Sequence, residues 1–156
     1  MRPVVSVVMP ARNAEATISC ALESVLKQSL SDLEVIVIND ASDDSTRGAV
    51  EAFRDCRIRI LNTSDNIGPA SCRNLGLASA SGQFVTFLDA DDALNPQCLE
   101  RLVGYALEYG EKAVLAPDIW VCKGDKAAGL QLMYRLFAQR GLRLAVPGGV
   151  NFVTVA

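Results

Sequence analysis

The sequence contains no histidine and no closely spaced pair of cysteines, and these absences exclude several kinds of site. Without histidine, imidazole can neither activate a serine or cysteine nucleophile nor hold a zinc ion. The cysteines are five in number and scattered, so a zinc ribbon or a thioredoxin-type site is not expected. Reduced thiols in a cytoplasmic protein are the simplest interpretation.

Long apolar runs and an excess of positive charge are also absent. No run approaches the roughly 18 apolar residues that a membrane helix needs, and the N-terminal run is too short for a signal peptide. The net charge of -3 offers no electrostatic attraction to nucleic acid or to an anionic membrane, so we expect no nucleic-acid partner. The 156 residues are half hydrophobic, which favours one soluble domain with a real core.

Short apolar runs that alternate with helical patterns predict a parallel sheet. A strand followed by a helix and a second strand within about 35 residues is typical of a right-handed βαβ unit. The first helix is expected to be capped by Asn13, with Glu15 in its first turn. The whole chain is therefore predicted to be one α/β layer structure, with strands at Val4–Met9, Glu34–Asn39, Arg57–Leu61 (nearer an edge) and Phe84–Leu88.

The second half of the chain carries further turn and cap signals. Pro69 suits the first turn of a helix that runs to about Ala80, where Gly82 can end it. Asn95 and Pro96 predict the start of the next helix in the same way. Beyond it we expect strands at Ala113–Ala116 and Ile119–Cys122 and a helix at Leu130–Arg140.

Three carboxylates follow the fourth predicted strand, at Asp89, Asp91 and Asp92. Burying unpaired carboxylates costs several kcal/mol or more, so these residues must lie where the strand leaves the sheet. A turn at Ala90 would bring Asp89 and Asp91 together. Such oxygen ligands suit Mg²⁺ or Mn²⁺, although a solvated turn is the alternative.

Polar residues also follow the first two predicted strands, and they would share this rim. Asp40 comes directly after the second strand and could either cap the next helix or face a ligand. Arg73 lies in a helix of small and apolar residues, where it could extend to water or present its planar fork to a phosphate or base. The remaining loop residues Asp43, Asp44, Asp65 and Asn66 are expected to be turn formers.

Four motifs, in order, together resemble the family 2 inverting glycosyltransferases over about residues 4 to 110. They are V-S-V-V-M-P-A-R-N from Val5, V-I-V-I-N-D-A-S-D-D-S from Val35, N-I-G-P-A-S-C-R-N-L-G from Asn66 and F-L-D-A-D-D from Phe87. The resemblance implies a GT-A, Rossmann-like fold, with a mostly parallel sheet flanked by helices on both faces and truncated at its C-terminal side. It also implies a nucleotide-diphospho-sugar donor, commonly a UDP-sugar, with Mn²⁺ or Mg²⁺ as the cofactor.

The resemblance assigns the donor site residue by residue. Asp40 matches the aspartate that hydrogen-bonds uracil, and Arg73 matches the arginine near the base and diphosphate, although Cys72 stands where alanine is usual. Asp89 and Asp91 match the D-x-D motif that contacts the ribose and holds the metal. Asp92 lies alongside as a third candidate metal ligand, and the pocket would also be lined by Pro10, Ala11 and Asn13.

The family's general base is an acidic residue well after the D-x-D motif, and the sequence offers no convincing match for it. Asp118 and Asp125 are the only later aspartates, and we expect surface positions for both. Residues 1–156 are therefore expected to form a single, incomplete donor-binding domain that lacks the acceptor-binding part. The acceptor, a saccharide, lipid or protein, stays open, and any membrane association would come only through sequence that this chain lacks.

Other classes of protein fit the sequence less well or differ only in activity. A non-catalytic nucleotide-sugar-binding module would share the donor site but transfer nothing. A sugar nucleotidyltransferase or a dinucleotide-dependent dehydrogenase would need a glycine-rich loop after the first strand, and P-A-R-N-A, which begins at Pro10, contains no glycine.

Overall fold

The computed structural model describes residues 2–109, 119–123, 126–130 and 151–154. Strands and helices alternate through the first two thirds of the chain, as the apolar pattern predicts. Within the described residues the elements are β1 (Val5–Ala11), α1 (Ile18–Leu26), β2 (Leu33–Asn39), α2 (Thr46–Glu51), β3 (Ile58–Asn62), α3 (Gly68–Ser79), β4 (Phe84–Phe87), α4 (Cys98–Tyr109), β5 (Ile119–Lys123), β6 (Lys126–Leu130) and β7 (Asn151–Thr154).

Five of the described strands form one parallel sheet in the order β3-β2-β1-β4-β7. In the register, Val5 of β1 lies opposite Leu33 of β2 and Phe84 of β4. The chain moves to one side of β1 to make β2 and β3, and to the other side to make β4. Such a reversal opens a crevice at the carboxyl ends of the strands, which is where ligands bind in open α/β sheets. The predicted Rossmann-like parallel sheet is confirmed, and β3 lies at one edge of it, as expected.

Both faces of the sheet are covered by helices because side chains alternate along each strand. Val7 and Met9 of β1 belong to a core cluster with α1 and α4, whereas Val8 packs on the other face with Cys72 of α3. A glycine brings α3 close to the sheet, since a Cβ on Gly76 would lie 2.2 Å from Val8 Cγ1. The predicted helices on both faces are therefore confirmed.

The predicted roles of Asn13 and Gly82 at helix ends are wrong, whereas the other helix signals hold. The first helix begins at Ile18, and Asn13 does not cap it, because the Asn13 side chain is used by the neighbouring loop instead. The helix has Pro69 in its first turn and ends at Ser79, close to the predicted Ala80, but the chain becomes extended at Ala80 and Gly82 does not end the helix. The next helix begins two residues after Pro96, at Cys98, and Asn95 Oδ1 accepts from Gln97 N at 3.3 Å as expected of a cap.

The amino ends of the central strands are held together by a network of hydrogen bonds around Glu34. Its Oε1 accepts hydrogen bonds from Ser6 Oγ at 2.6 Å and from Ser81 N at 2.7 Å. The hydroxyl of Ser6, which is fully buried, also accepts from Gly82 N at 2.8 Å. These bonds tie together the starts of β1, β2 and β4.

The later strands were predicted only in part. The strand at Ile119–Cys122 is confirmed as β5, which pairs antiparallel with β6 as a separate ribbon. Neither β6 nor β7 was predicted, because their sequences are short and lie near glycines. The predicted strand Ala113–Ala116 and residues 131–140 of the predicted helix lie outside the described residues. Among the helices that the structure describes, none is both long and apolar enough to cross a membrane.

Candidate functional site

A cavity of about 710 Å³ opens at the carboxyl ends of β1, β2 and β4, in the crevice where the chain reverses direction. This volume lies within the usual range for small-molecule sites, roughly 300–1,000 Å³. The wall is built by the segments after these three strands and by the first turns of α3. The lining residues are Pro10, Ala11, Arg12, Asn13, Ala14, Thr17, Asp40, Asn66, Gly68, Pro69, Cys72, Arg73, Asp89, Ala90 and Asp91.

The loops after β1 and β2 are joined by hydrogen bonds, which fixes one wall of the cavity. The N–H groups of residues 13–15 donate in turn to Ser42 Oγ (3.1 Å), Thr46 Oγ1 (2.8 Å) and Asp44 Oδ2 (3.0 Å). Asn13 has a φ of 49°, a left-handed conformation that asparagine tolerates, and its Oδ1 accepts from Asp43 N at 2.9 Å. Asp44 also accepts from Thr46 N, so its predicted role as a turn former is confirmed.

Asp40 is buried at the base of the cavity, with 3 % of its surface exposed, and it holds the start of α3. Its Oδ1 accepts from Thr63 Oγ1 at 3.1 Å and from Ile67 N at 2.8 Å, and its Oδ2 accepts from Gly68 N at 2.9 Å. Burial by itself would raise the pKa of Asp40, but these hydrogen bonds outweigh it and hold the pKa below its ordinary value. Asp40 is therefore an ionised carboxylate, and it binds the third helix rather than the next one along the chain.

Cys72 lies beside Asp40, in the wall of the cavity, and is fully buried. Burial, and then the charge of Asp40, raises the pKa of its thiol to about 11. The thiol is therefore protonated and unreactive at neutral pH. Its other side packs against apolar residues of the sheet.

Arg73 and Asp89 form an ion pair across the cavity. Arg73 Nη2 lies 2.5 Å from Asp89 Oδ1, and the two side chains are 34 % and 47 % exposed. The pair joins α3 to the end of β4. A guanidinium has five N–H donors, so Arg73 keeps donors for a second, anionic partner.

The acidic segment after β4 makes a tight turn, as predicted. Asp92 N donates to Asp89 O at 3.1 Å, which closes the turn around the buried Ala90. Asp91 lines the cavity, whereas Asp92 does not. Although Asp92 is largely exposed, partial desolvation and then the charges of Asp91 and Asp89 raise its pKa.

The residues at this turn fit a divalent cation that is held in part by a bound phosphate. Within the described part of the chain, no three carboxylate, thiol or imidazole side chains converge as a complete metal site. Mg²⁺ and Mn²⁺ are, however, commonly bound through one or two carboxylates with water and substrate phosphate. Asp91, which makes no hydrogen bond with the described residues, is the first candidate ligand, and Asp89 is the second through its oxygen that does not face Arg73.

The sequence assigned Pro10, Ala11, Asn13, Asp40, Arg73 and Asp89 to the nucleotide-sugar site, and Asp89, Asp91 and Asp92 to the metal. All but one of these residues line the cavity. Only Asp92 lies outside its wall. The sequence did not assign Arg12, Asn66 or the start of α3 to the site, although all of them lie within the four motifs and line the cavity. Adjacency to Ala11 and Asn13 is the signal that could have found Arg12.

The family model described as Glycosyl transferase family 2 matches residues 6–148. Among curated relatives, the chain is 43 % identical over 105 residues to the UDP-Glc:alpha-D-GlcNAc-diphosphoundecaprenol beta-1,3-glucosyltransferase WfgD of Escherichia coli, covering 67 % of this chain and 42 % of that protein. It is 40 % identical over 116 residues to the GalNAc(5)-diNAcBac-PP-undecaprenol beta-1,3-glucosyltransferase of Campylobacter jejuni, covering 69 % of this chain and 38 % of that protein.

Solved structures give the same picture of the fold. TarS 1-349 of S. aureus in complex with UDP superimposes with a TM-score of 0.69 at 32 % identity, over 74 % of this chain and 35 % of that one. The mannosyltransferase PcManGT of Pyrobaculum calidifontis, in complex with GDP-Man and Mn²⁺, gives a TM-score of 0.67 at 25 % identity, over 76 % of this chain and 36 % of that one.

The chain thus spans less than half the length of these relatives. The match to the family model nevertheless extends over most of this chain and includes the β1, β2, α3 and β4 segments that build the cavity. With its GT-A sheet and with relatives more than 30 % identical, the chain belongs to glycosyl transferase family 2.

Proposed function

We propose that this chain is the donor-binding domain of a glycosyltransferase that uses a nucleotide-diphospho-sugar, a UDP-sugar in the first instance. The observation that carries the proposal is the meeting of Asp40, Arg73, Asp89 and Asp91 in one cavity at the crossover of a parallel sheet. One named relative uses UDP-Glc, and TarS structures hold UDP or UDP-GlcNAc. A neighbour that holds GDP-Man makes a guanine nucleotide the alternative to test.

The two ends of the cavity suit the two ends of a nucleoside diphosphate. Asp40 is an ionised acceptor, and its Oδ2 receives only one of the three N–H and O–H bonds described above, so it can accept an N–H from a base. Arg73, through its ion pair with Asp89, and Asp91 lie at the turn after β4, where a guanidinium and a metal-binding carboxylate would meet the diphosphate. The base would therefore lie near β2, and the sugar phosphate near the turn after β4.

The proposed reaction is transfer of the sugar to an acceptor hydroxyl with inversion. When bound, a divalent cation would offset the charge that develops on the departing diphosphate. Asp91 would hold that cation, and Asp89 would both contact the ribose and keep Arg73 in place. The general base that takes the acceptor proton is not assigned to any residue of this chain.

We further propose that residues 1–156 are the donor-binding part of a longer protein whose acceptor-binding part lies outside them. Two relatives are named for undecaprenol-linked substrates, which favours a lipid-linked saccharide among the candidate acceptors. A cytoplasmic location is part of the proposal. It is supported by Cys20, Cys56, Cys72 and Cys98, which are all free thiols.

The proposal is tested by calorimetric titration with UDP and GDP, each with and without Mn²⁺. We expect UDP to bind, and we expect Mn²⁺ to strengthen binding about tenfold or more through a carboxylate ligand. Asp91→Asn should abolish that enhancement, whereas the matched control Asp65→Asn, an exposed loop residue outside the cavity, should preserve it. Failure of the folded wild-type protein to bind any nucleoside diphosphate in the presence of metal would refute the proposal.

A second measurement separates an enzyme from a non-catalytic nucleotide-sugar-binding module. The full-length protein is incubated with UDP-glucose and a lipid-linked saccharide, and release of UDP is followed. Transfer or hydrolysis supports the enzyme, and binding without turnover supports the module.

A further inference from the structure

The acidic turn is anchored on both sides, and the two anchors are only a few residues apart. On the entry side, Leu88 N donates to Val8 O at 3.1 Å, which continues the pairing of β4 with β1. On the exit side, Leu94 N donates to Ser24 Oγ of α1 at 3.0 Å. Only residues 89–93 lie between the anchors, so the geometry of Asp89 and Asp91 depends on both.

Gln28, just beyond the end of α1, extends the exit anchor to the residues that follow Leu94. It is 6 % exposed, which is unusual for a glutamine. Its Nε2 donates to Ser24 O at 3.0 Å and to Asn95 O at 2.7 Å, and its Oε1 accepts from Leu99 N at 3.0 Å. Both amide hydrogens and the amide oxygen are therefore used.

Ser29, the residue after Gln28, adds two more hydrogen bonds between the end of α1 and the segment that leads into α4. Ser29 N donates to Pro96 O at 2.8 Å, and Ser29 Oγ donates to Glu100 Oε2 at 2.7 Å. The end of α1 thus holds the whole segment between the acidic turn and α4. None of these residues lines the cavity.

We propose that Gln28 is a positioning residue for the acidic turn, which fixes the placement of Asp91 toward the donor diphosphate. This inference depends on the proposed function, since it assigns Gln28 to the metal and phosphate end of that site. The reason is geometric: a buried amide with three bonds in fixed directions prevents the exit anchor from shifting, and shifts of about 1 Å at a ligand can cost a hundredfold. A glutamate side chain lacks the two N–H donors, and a methionine side chain lacks both the donors and the acceptor oxygen. Glutamine is therefore the side chain of this length that can make all three hydrogen bonds.

The test compares Gln28→Met with wild type by calorimetric titration of UDP at 20 degrees below the lower melting temperature, with and without Mn²⁺. We expect the metal-dependent enhancement to fall about tenfold, as is usual when a residue that orients metal ligands is lost. Affinity for UDP without metal should fall by a smaller factor than the metal enhancement, because Asp40 lies on the other side of β1 from the turn and only Asp89 lies within it. Hydrogen exchange in the segment 88–96 should also become faster.

Two further variants keep the test decisive. Ser24→Ala removes the acceptor of Leu94 N, together with one hydrogen bond to Ala21 O within α1. It should change the metal enhancement in the same direction by a smaller factor, so it replaces Gln28→Met if that protein does not fold. Ser6→Ala removes buried hydrogen bonds at the amino ends of the strands. It should lower the melting temperature without changing the effect of Mn²⁺.

The outcomes distinguish this inference from the function on which it depends. If wild type binds UDP with a metal enhancement and both α1 variants keep it, Gln28 is merely structural and the inference is wrong. If wild type shows no binding or no metal enhancement, the proposed metal site fails and the inference falls with it. A selective loss in Gln28→Met and Ser24→Ala, but not in Ser6→Ala, supports it.

Discussion

Replacing Asp40 with asparagine would test whether its charge holds the start of α3. The carboxylate receives three N–H and O–H hydrogen bonds, two on Oδ1 and one on Oδ2 from Gly68 N, and a further one from the Cys72 thiol. An amide has a single oxygen, so it can keep the two bonds on Oδ1 only by turning its NH₂ group toward the Gly68 N–H. That leaves a donor without an acceptor and two bonds without charge assistance.

The expected loss follows from these contacts. An unsatisfied buried donor costs about 1–3 kcal/mol, and the lost charge weakens each remaining bond by roughly 1 kcal/mol. We therefore expect Asp40→Asn to lower the free energy of unfolding by about 3–5 kcal/mol at neutral pH. Asp65→Asn, in the exposed loop before α3, is the control and should change it by less than about 0.5 kcal/mol.

The effect should also depend on pH, and its sign follows from the pKa of Asp40. Because the folded pKa is lowered, the stabilisation is complete above the pKa of an unfolded aspartate, about 3.9, and disappears as the pH falls through the folded value. The difference between wild type and Asp40→Asn, measured by urea denaturation, should be constant from neutral pH down to about pH 5 and then shrink. A difference that is the same at about pH 3 as at neutral pH would show that the charge of Asp40 is not what holds the helix.

Two further predictions concern the packing of α3 on the sheet and the Glu34 network at the amino ends of the strands. Gly76→Ala should destabilise the fold by about 1–3 kcal/mol, because its Cβ would lie 2.2 Å from a methyl carbon of β1. In the control Gly104→Ala the new Cβ meets nothing within 4 Å, so this change should be neutral or stabilising. Equal effects of the two changes in urea denaturation would contradict the packing argument. Burial disfavours the charge of Glu34, but hydrogen bonds from Ser6 and Ser81 hold its pKa below the ordinary value. Wild type should therefore lose more stability than Glu34→Gln as the pH falls below about 4.3, and parallel melting temperatures for the two proteins across acid pH would refute this.

The sequence by itself determined the alternation of strands and helices and the rim on which the site lies. Apolar runs rich in β-branched residues are locally encoded, since a strand buried on both faces tolerates little else. The acids after Phe84–Leu88 had to leave the sheet, because their desolvation cannot be offset inside it. The edge position of the third strand followed from the alternation of charged and apolar residues over Arg57–Leu61.

Only the tertiary structure decided which polar groups form hydrogen bonds with one another. Asp40 meets the N–H of Gly68, 28 residues away, and Gln28 meets Asn95 across 67 residues. Nothing in the local pattern near Gln28 indicates that its amide is buried, because the partner groups are backbone atoms of a distant segment. Asn13 was misassigned as a helix cap for the same reason, since its acceptor is used by the loop after β2. Periodicity encodes which face of an element is buried, whereas the pairing of polar groups depends on how the elements pack.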